Sequence, residues 1–385
     1  MNTVVKNVVD KFSDEFSHKA ALIVRSPGRV NIIGEHVDYN EGFVLPAAID
    51  KAIYVAVSKR IDGQIHLYSV DFKEKYEVAI ANIEPTKTWA TYILGVADQL
   101  IKRGHNIDGF NLALDGDVPI GAGLSSSAAV ECATVFALNN LFKLGIDKME
   151  MVRIAQKAEH TFSGVMCGIM DMFASMFGKK DHVIKLDCKT LAYEYKPFVL
   201  DGYKIVLLNT NVEHSLASSA YNERRSQCEQ GVAWVKAYHA QVNSLRDVSM
   251  EMLEKYVAKD PIIYNRCRYV VEEIQRLLDG CNDLEKGDIA ALGKKMFATH
   301  HGLSKLYEVS CREADWLVEQ VKSNPEVLGA RMMGGGFGGC AINIVKDEAI
   351  NELVEKLTKG YKEKMGLNLS AYIAYIENGT EEVVI

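Results

Sequence analysis

The chain has no basic excess. Its 385 residues carry 44 Lys and Arg against 51 Asp and Glu, a formal charge of −7. That excludes a surface built to neutralise a polyanion, so no nucleic-acid partner is expected, though a small anion can still meet a locally positive pocket. No apolar run approaches the length of a bilayer span, so no membrane partner is expected. Residues 1–18 mix charges and hold no apolar block, so no secretory leader is read there. The eight cysteines (132, 167, 188, 228, 267, 281, 311 and 340) form no Cys-x-x-Cys pair, which removes a zinc ribbon and a dithiol redox motif. A chain this long and core-rich does not need disulfides, and reduced thiols in the cytoplasm are the expectation. There is no internal repeat and no low-complexity tract. With 48% hydrophobic and 25% charged residues the composition is that of an ordinary globular protein, longer than one core usually serves, so two domains are expected.

Familiar catalytic signatures are missing too. Neither Gly178-Lys179 nor Gly293-Lys294 has the upstream glycine and following Ser or Thr of a Walker A loop. There is no HExxH, no GxSxG around Ser125–Ser127, and no protein-kinase catalytic loop or DFG. The cluster Gly334–Gly339 lies late, with no ribose acid clearly placed for a dinucleotide-binding turn.

What is present begins with the stretch from Pro119 to Ala129. Gly121 and Gly123 allow positive φ and close backbone approach, and Ser125, Ser126 and Ser127 suit a helix N-terminus. An apolar run to Phe142 follows. This is either a phosphate cradle feeding a helix or a connector that only caps one. Upstream, Arg29, Glu35, His36 and Asp38 lie within ten residues among strand-like neighbours. Such groups fix sugar hydroxyls by direction; the alternative is a solvated turn whose charges pair with each other.

Periodicity predicts a helix over 1–20 and strands at 21–25, 47–59 and 64–70, the last two joined by an Asp62-Gly63 hairpin turn. It predicts helices over 89–101 and 148–162 and strands at 110–114, 182–186 and 203–209. Trp89 reads as core, with adenine stacking as the minority alternative. Glu159 stands near a helix C-terminus, against the dipole, where a metal, a basic partner or exposure would account for it. Asp171 is the one carboxylate in an apolar stretch, so it is capped, paired with a cation, or chemically used. The segment 209–228 is polar. Helices at 231–239, 261–278 and 288–307, a strand at 341–345, a helix at 348–365 and a strand at 370–376 complete the chain.

Three motifs together, Gly28 to Tyr39, Pro119 to Ala129 and Gly334 to Gly339, resemble the GHMP sugar and metabolite kinases, and within them the members that phosphorylate galactose at C1. The runs Cys167 to Asp171 and His214 to Arg225 support the same likeness. The resemblance implies an α+β, two-domain fold with the active site in the cleft: a ribosomal-protein-S5-like N-terminal domain over 1–195 and a ferredoxin-like C-terminal domain over 196–385. It implies transfer of the ATP γ-phosphate to the C1 hydroxyl of α-D-galactose. The implied roles are Arg29 and Asp171 in catalysis; Glu35, His36, Val37, Asp38, Asp171 and Tyr221 on the sugar; and Ser69, Trp89, Gly121, Ala122, Gly123, Leu124, Ser125, Ser126 and Ser127 on ATP. Ser127 and Glu159 are the implied Mg²⁺ ligands, with a monomer as the working unit. Met172 stands where the family often has Gln, and Met333 where it often has Thr, which bears on sugar preference. Phosphorylation of another sugar, or a silent sugar sensor, are the competing readings.

Overall fold

The computed structural model describes residues 3–212 and 217–384, so His214 and Ser215 of the polar run lie outside the described residues. The chain opens with a helix, Thr3–Phe16, that buries Val5, Val8 and Phe12. Burying each such side chain contributes roughly 1.5–3 kcal/mol. They pack on Ile23, Ala52, Tyr54, Ala56 and Ala113, one face of the first sheet.

That sheet has six strands in the order Glu381–Glu382, Leu22–Asn31, Pro46–Lys59, Phe110–Gly116, Gln64–Ser69 and Glu74–Ala79. The expected Asp62-Gly63 hairpin does not form between 46–59 and 64–69, because Phe110–Gly116 lies between them. It pairs antiparallel with 46–59 and parallel with 64–69. Burial gives the reason. Phe110–Gly116 is buried through all but its last residue and belongs in the interior. Gln64–Ser69 alternates between buried and half-buried residues, which suits a place nearer the edge.

Across the sheet's other face runs the helix Ser126–Phe142. Its apolar residues surround it on nearly all sides, as a central buried helix requires. Glu131 is the exception, a carboxyl only 1% exposed within that helix. The 148–162 segment is α-helical only over Lys148–Ala158; Glu159–Ser163 is one π-helical turn. Such turns concentrate at functional sites, and this one swings Glu159 inward to 5% exposure.

The second large sheet is antiparallel, in the order Val327–Met332, Cys340–Lys346, Tyr203–Asn209 and Ser370–Ala374. The helices Ile289–Gly302, Arg312–Val321 and Ile350–Met365 pack against it, and Pro261–Glu285 packs between Ile289–Gly302 and Ala217–Lys236. A small sheet of Phe43–Val44, His182–Asp187 and Tyr193–Pro197 bridges the two regions. The tail then returns to the first sheet. Glu381 and Glu382 pair with Arg25 and Val24. The Thr380 N–H and hydroxyl both donate to the Ser175 carbonyl, at 2.8 and 2.9 Å.

Candidate active site

Strand 22–31 delivers Arg29 to a junction of loops. A register shift between Pro27 and Arg29 interrupts its pairing. The buried guanidinium then grips Asp171 side-on, Nε to Oδ1 at 2.9 Å and Nη2 to Oδ2 at 3.1 Å. Its Nη1 donates to the Gly123 carbonyl at 2.7 Å. Burial opposes the Arg29 charge, but Asp171 and Glu35 outweigh it and hold the pKa above its ordinary value. Asp171 sits in the first turn of the helix Met170–Phe177, where the dipole favours a carboxylate. Ser125 adopts φ 59° just before the 126–142 helix, and its side chain makes no cap. The hydroxyl instead donates to Asp171 Oδ2 at 2.6 Å. The ion pair and the serine loop are therefore one assembly.

The loop after this strand carries the sugar motif. Glu35 is 2% exposed; its Oε2 accepts from Arg331 Nη1 at 2.8 Å and from the Gly334 N–H at 3.0 Å. Burial pushes the Glu35 pKa up, yet Arg331 and Arg29 prevail and hold it below the usual carboxylate range. His36 sits at φ 61°, a region in which His is enriched among non-glycine residues. Burial pushes its pKa down to about 4, leaving a neutral imidazole. Asp38 is raised to about 7, first by burial and then by the charge of Asp171. It is held tightly: a Cβ at Gly168 would lie 1.9 Å from Asp38 Oδ2, so only glycine fits there. Arg29, Glu35, His36, Asp38, Asp171 and Tyr221 together line one small hollow with Gly334 and Gly335. The Val37 side chain lies in the core instead, while its carbonyl accepts from the N–H groups of Asn40 and Gly42.

A neighbouring cavity of about 200 Å³ is lined by Ser127, Glu159, Asp171, Met172, Tyr221 and Gly335. Volume alone does not select this site, since a hollow of about 400 Å³ beside Phe297, His300 and Trp316 holds none of the motif residues. The two glycine loops meet between the regions. Cys340 N–H donates to Ala122 O at 3.1 Å, and a Cβ on Gly334 would lie 3.0 Å from Gly123 O. Gly121 is exposed, whereas Ala122 and Leu124 are buried, and Leu124 O accepts from Arg29 N–H at 3.1 Å. Ser126 and Ser127 open the helix, partly exposed. Ser69 is buried at a strand end and lies opposite Glu74, which accepts from Trp89 Nε1 at 3.1 Å. Trp89 is half-buried and packs against the rim of the main core.

Burial raises the Glu159 pKa, opposed first by Ser163, whose hydroxyl donates to Oε1 at 2.7 Å. Its Oε2 is buried and makes no hydrogen bond, as is Oε2 of Glu131. An oxygen-rich pocket with orphaned carboxylate oxygens beside a serine hydroxyl suits a hard divalent cation.

Four contributors escape a sequence reading. Arg331, fully buried, ties the second sheet to the sugar motif, yet nothing local marks an arginine in an apolar strand. Tyr307 reaches the site only through a hydrogen-bond chain. Gly168 is defined by what it faces. Glu131 did leave a signal: it follows Ser127 by four residues, one helical turn. Of the two departures, Met333 is buried with its sulfur accepting from the Asn31 N–H at 3.4 Å, and Met172 lines the larger cavity.

Comparison with known proteins agrees with this arrangement. The galactokinase galactose-binding signature matches residues 10–59, the GHMP kinase N-terminal domain 91–179, and the GHMP kinase C-terminal domain 282–363. The chain is 41% identical to a galactokinase of Thermotoga petrophila over 360 residues, covering 94% of this chain and 99% of that one. It is also 41% identical to a galactokinase of Clostridium acetobutylicum over 387 residues, 99% of each. The crystal structure of Lactococcus lactis galactokinase complexed with galactose superposes with a TM-score of 0.94 at 34% identity, covering 99% of this chain and 100% of that one. The chain belongs to the galactokinase family of the GHMP kinases.

Proposed function

From that membership we infer that the protein transfers the ATP γ-phosphate to the C1 hydroxyl of α-D-galactose, releasing ADP. The observation that carries this is the Arg29–Asp171 pair, bound to Ser125 and Gly123 of the serine loop on one side and lining the sugar hollow on the other. Phosphoryl transfer needs alignment and charge neutralisation more than covalent chemistry. Arg29, always charged, stabilises the charge of the transferred group. Gly121 to Ser127 cradle the phosphates, and Ser69 and Trp89, linked through Glu74, face the nucleotide base and ribose. Glu35, His36, Asp38 and Tyr221 orient the sugar. Val37 contributes through its backbone, which fixes the turn that carries them.

Ser127 and Glu159 would hold Mg²⁺, which when bound neutralises phosphate charge. The orphaned Glu159 Oε2 supports that assignment. Asp171 receives the C1 hydroxyl. Both of its oxygens already accept hydrogen bonds, from Arg29 and from Ser125, which fix the plane of the carboxylate. It therefore acts mainly as an orienting acceptor that takes the proton late.

We read residues 1–195 as supplying the serine loop, sugar motif and Asp171, and 196–385 as supplying Tyr221, Arg331 and the glycine loop. Because one chain supplies every group, a monomer suffices. Among the described residues all eight cysteines are free thiols, which supports a cytoplasmic setting; no helix is long and apolar enough to cross a membrane.

The test is a coupled ADP-release assay over galactose, N-acetylgalactosamine, L-arabinose and glucose, run beside Asp171→Asn. Galactose is the expected best substrate. Turnover on another sugar alone, or binding of ATP and galactose without turnover, would overturn the reading. A modest loss in Asp171→Asn supports an orienting role, and near-abolition makes Asp171 an essential base.

A further inference from the structure

Behind the sugar hollow His36 leads into a line of buried polar groups, Tyr39, Tyr307 and Cys228, that have no part in the mechanism above. His36 Nδ1 lies 2.7 Å from the Tyr39 hydroxyl, that hydroxyl 2.7 Å from the Tyr307 hydroxyl, and Tyr307 3.2 Å from Cys228 Sγ. His36, Tyr307 and Cys228 are each no more than 3% exposed. The rings of Tyr221 and Tyr307 pack near the imidazole at tilts of 39° and 49°, with centroids 5.2 and 5.1 Å away. Asn40 Nδ2 donates to the His36 carbonyl at 3.0 Å and holds the left-handed backbone in place. At the other end of the ring, Nε2 is buried and makes no hydrogen bond.

We propose that Tyr39 and Tyr307 are positioning residues that hold His36 in its Nε2–H tautomer, so that Nε2 donates a hydrogen bond to a galactose hydroxyl. The proposal rests on reading the hollow as the sugar site. The neutral ring carries one proton, and the line of groups has two self-consistent directions. In one, Cys228 donates to Tyr307, Tyr307 to Tyr39, and Tyr39 to Nδ1, which leaves the ring proton on Nε2. In the other, every link is reversed and Nε2 presents a lone pair.

Two considerations choose the first. A phenol is the better donor and an imidazole nitrogen the better acceptor, as their ordinary pKa values indicate. The described lining of the hollow already holds the acceptors Glu35, Asp38 and Asp171, so a lone pair on Nε2 would add one more acceptor where the sugar oxygens need a donor. An Nε2–H gives a sugar hydroxyl that donates to a carboxylate a partner for its own oxygen.

The first measurement needs no variant: long-range ¹⁵N–¹H correlation spectra of the ligand-free protein, with His36 assigned by substitution. The expected pattern is a protonated Nε2 and an unprotonated Nδ1. The second uses Tyr39→Phe and Tyr307→Phe, which keep the ring and remove the hydroxyl. Each is expected to shift the tautomer ratio and to raise galactose KM, by roughly tenfold for Tyr39→Phe, with kcat changed less. A monodeoxygalactose lacking the hydroxyl that meets Nε2 should show no such rise. A protonated Nδ1 in the wild type overturns the proposal, and so do variants in which both tautomer and KM are unchanged. Failure of the sugar-site reading looks different: the ¹⁵N pattern is as expected, but His36→Ala leaves galactose KM unaltered.

Discussion

Arg331→Met tests how the two regions are joined. The guanidinium is fully buried and donates to Glu35 Oε2 at 2.8 Å, to Met332 O at 2.7 Å, to Ile32 O at 3.0 Å and to Asn31 O. Methionine fills similar space with no charge. It leaves the Glu35 carboxylate with Gly334 N–H as its direct donor and Arg29 as a further counter-charge. Breaking one side of a buried ion pair typically costs about 3–5 kcal/mol. Glu35→Gln leaves Arg331 its three carbonyl acceptors and should cost less, about 1–3 kcal/mol. In the double variant no carboxylate is stranded, so the losses should fall short of additivity by about 2 kcal/mol. Urea unfolding of the four proteins at pH 7 measures this. The pH dependence supplies a second arm. The folded Glu35 pKa is depressed, so its stabilisation is present above the unfolded value of about 4.3 and is lost as pH falls through the folded value. In Arg331→Met the desolvation that Arg331 had offset weighs more heavily, and protonation relieves it. The gap between wild type and variant should therefore narrow from pH 7 toward pH 4. Additive losses, or a gap independent of pH, would refute the reasoning.

Three further outcomes follow from the same geometry. Gly168→Ala forces the Asp38 carboxylate back by about 1 Å, and steady-state kinetics should register a loss of roughly 10²-fold in kcat/KM for galactose. Asp38, raised to about 7, keeps a proton that the unfolded chain releases nearer 4, so it makes stability fall as pH rises across that window; Asp38→Asn should raise the melting temperature at pH 8 more than at pH 5. Ser125→Ala removes a 2.6 Å donor from Asp171, and a charge-assisted bond of about 1.5–3 kcal/mol corresponds to a kcat loss of roughly 10- to 100-fold in single-turnover assays.

Much of the candidate site is legible in the sequence, because each motif packs its chemistry into a dozen residues. Arg29, Glu35, His36 and Asp38 announce themselves as charges among strand residues. Asp171 does so as a lone carboxylate in an apolar run. What stayed hidden is what depends on distant partners. Ser125 reads as a helix cap, but Asp171, 46 positions away, takes its hydroxyl. Glu159 reads as a carboxylate opposing a helix dipole; only the π-helical turn makes it a buried, orphaned one. The Asp62-Gly63 turn reads as a hairpin because local pattern cannot reveal that a later, more apolar strand takes the intervening place. Tyr307 and Arg331 belong to the site through contacts of more than 250 positions in separation, which no periodicity records.

The returning tail has a consequence for how such a protein can be recombined. Thr380 is tied to Ser175, on the helix that bears Asp171, and its hydroxyl also meets Ser26 at 2.8 Å. The Gly379 N–H closes on the Gly178 carbonyl at 2.8 Å. The second sheet is thus a long excursion from the first, entered after the small bridging sheet and left through residues 376–382. A chimera with a relative made by one crossover near the middle of the chain would bring a foreign tail to the edge of strand 22–31 and to the footing of the Asp171 helix. Exchange that respects the architecture needs two crossovers, the second just before residue 376, so that the tail is inherited with the strand it completes.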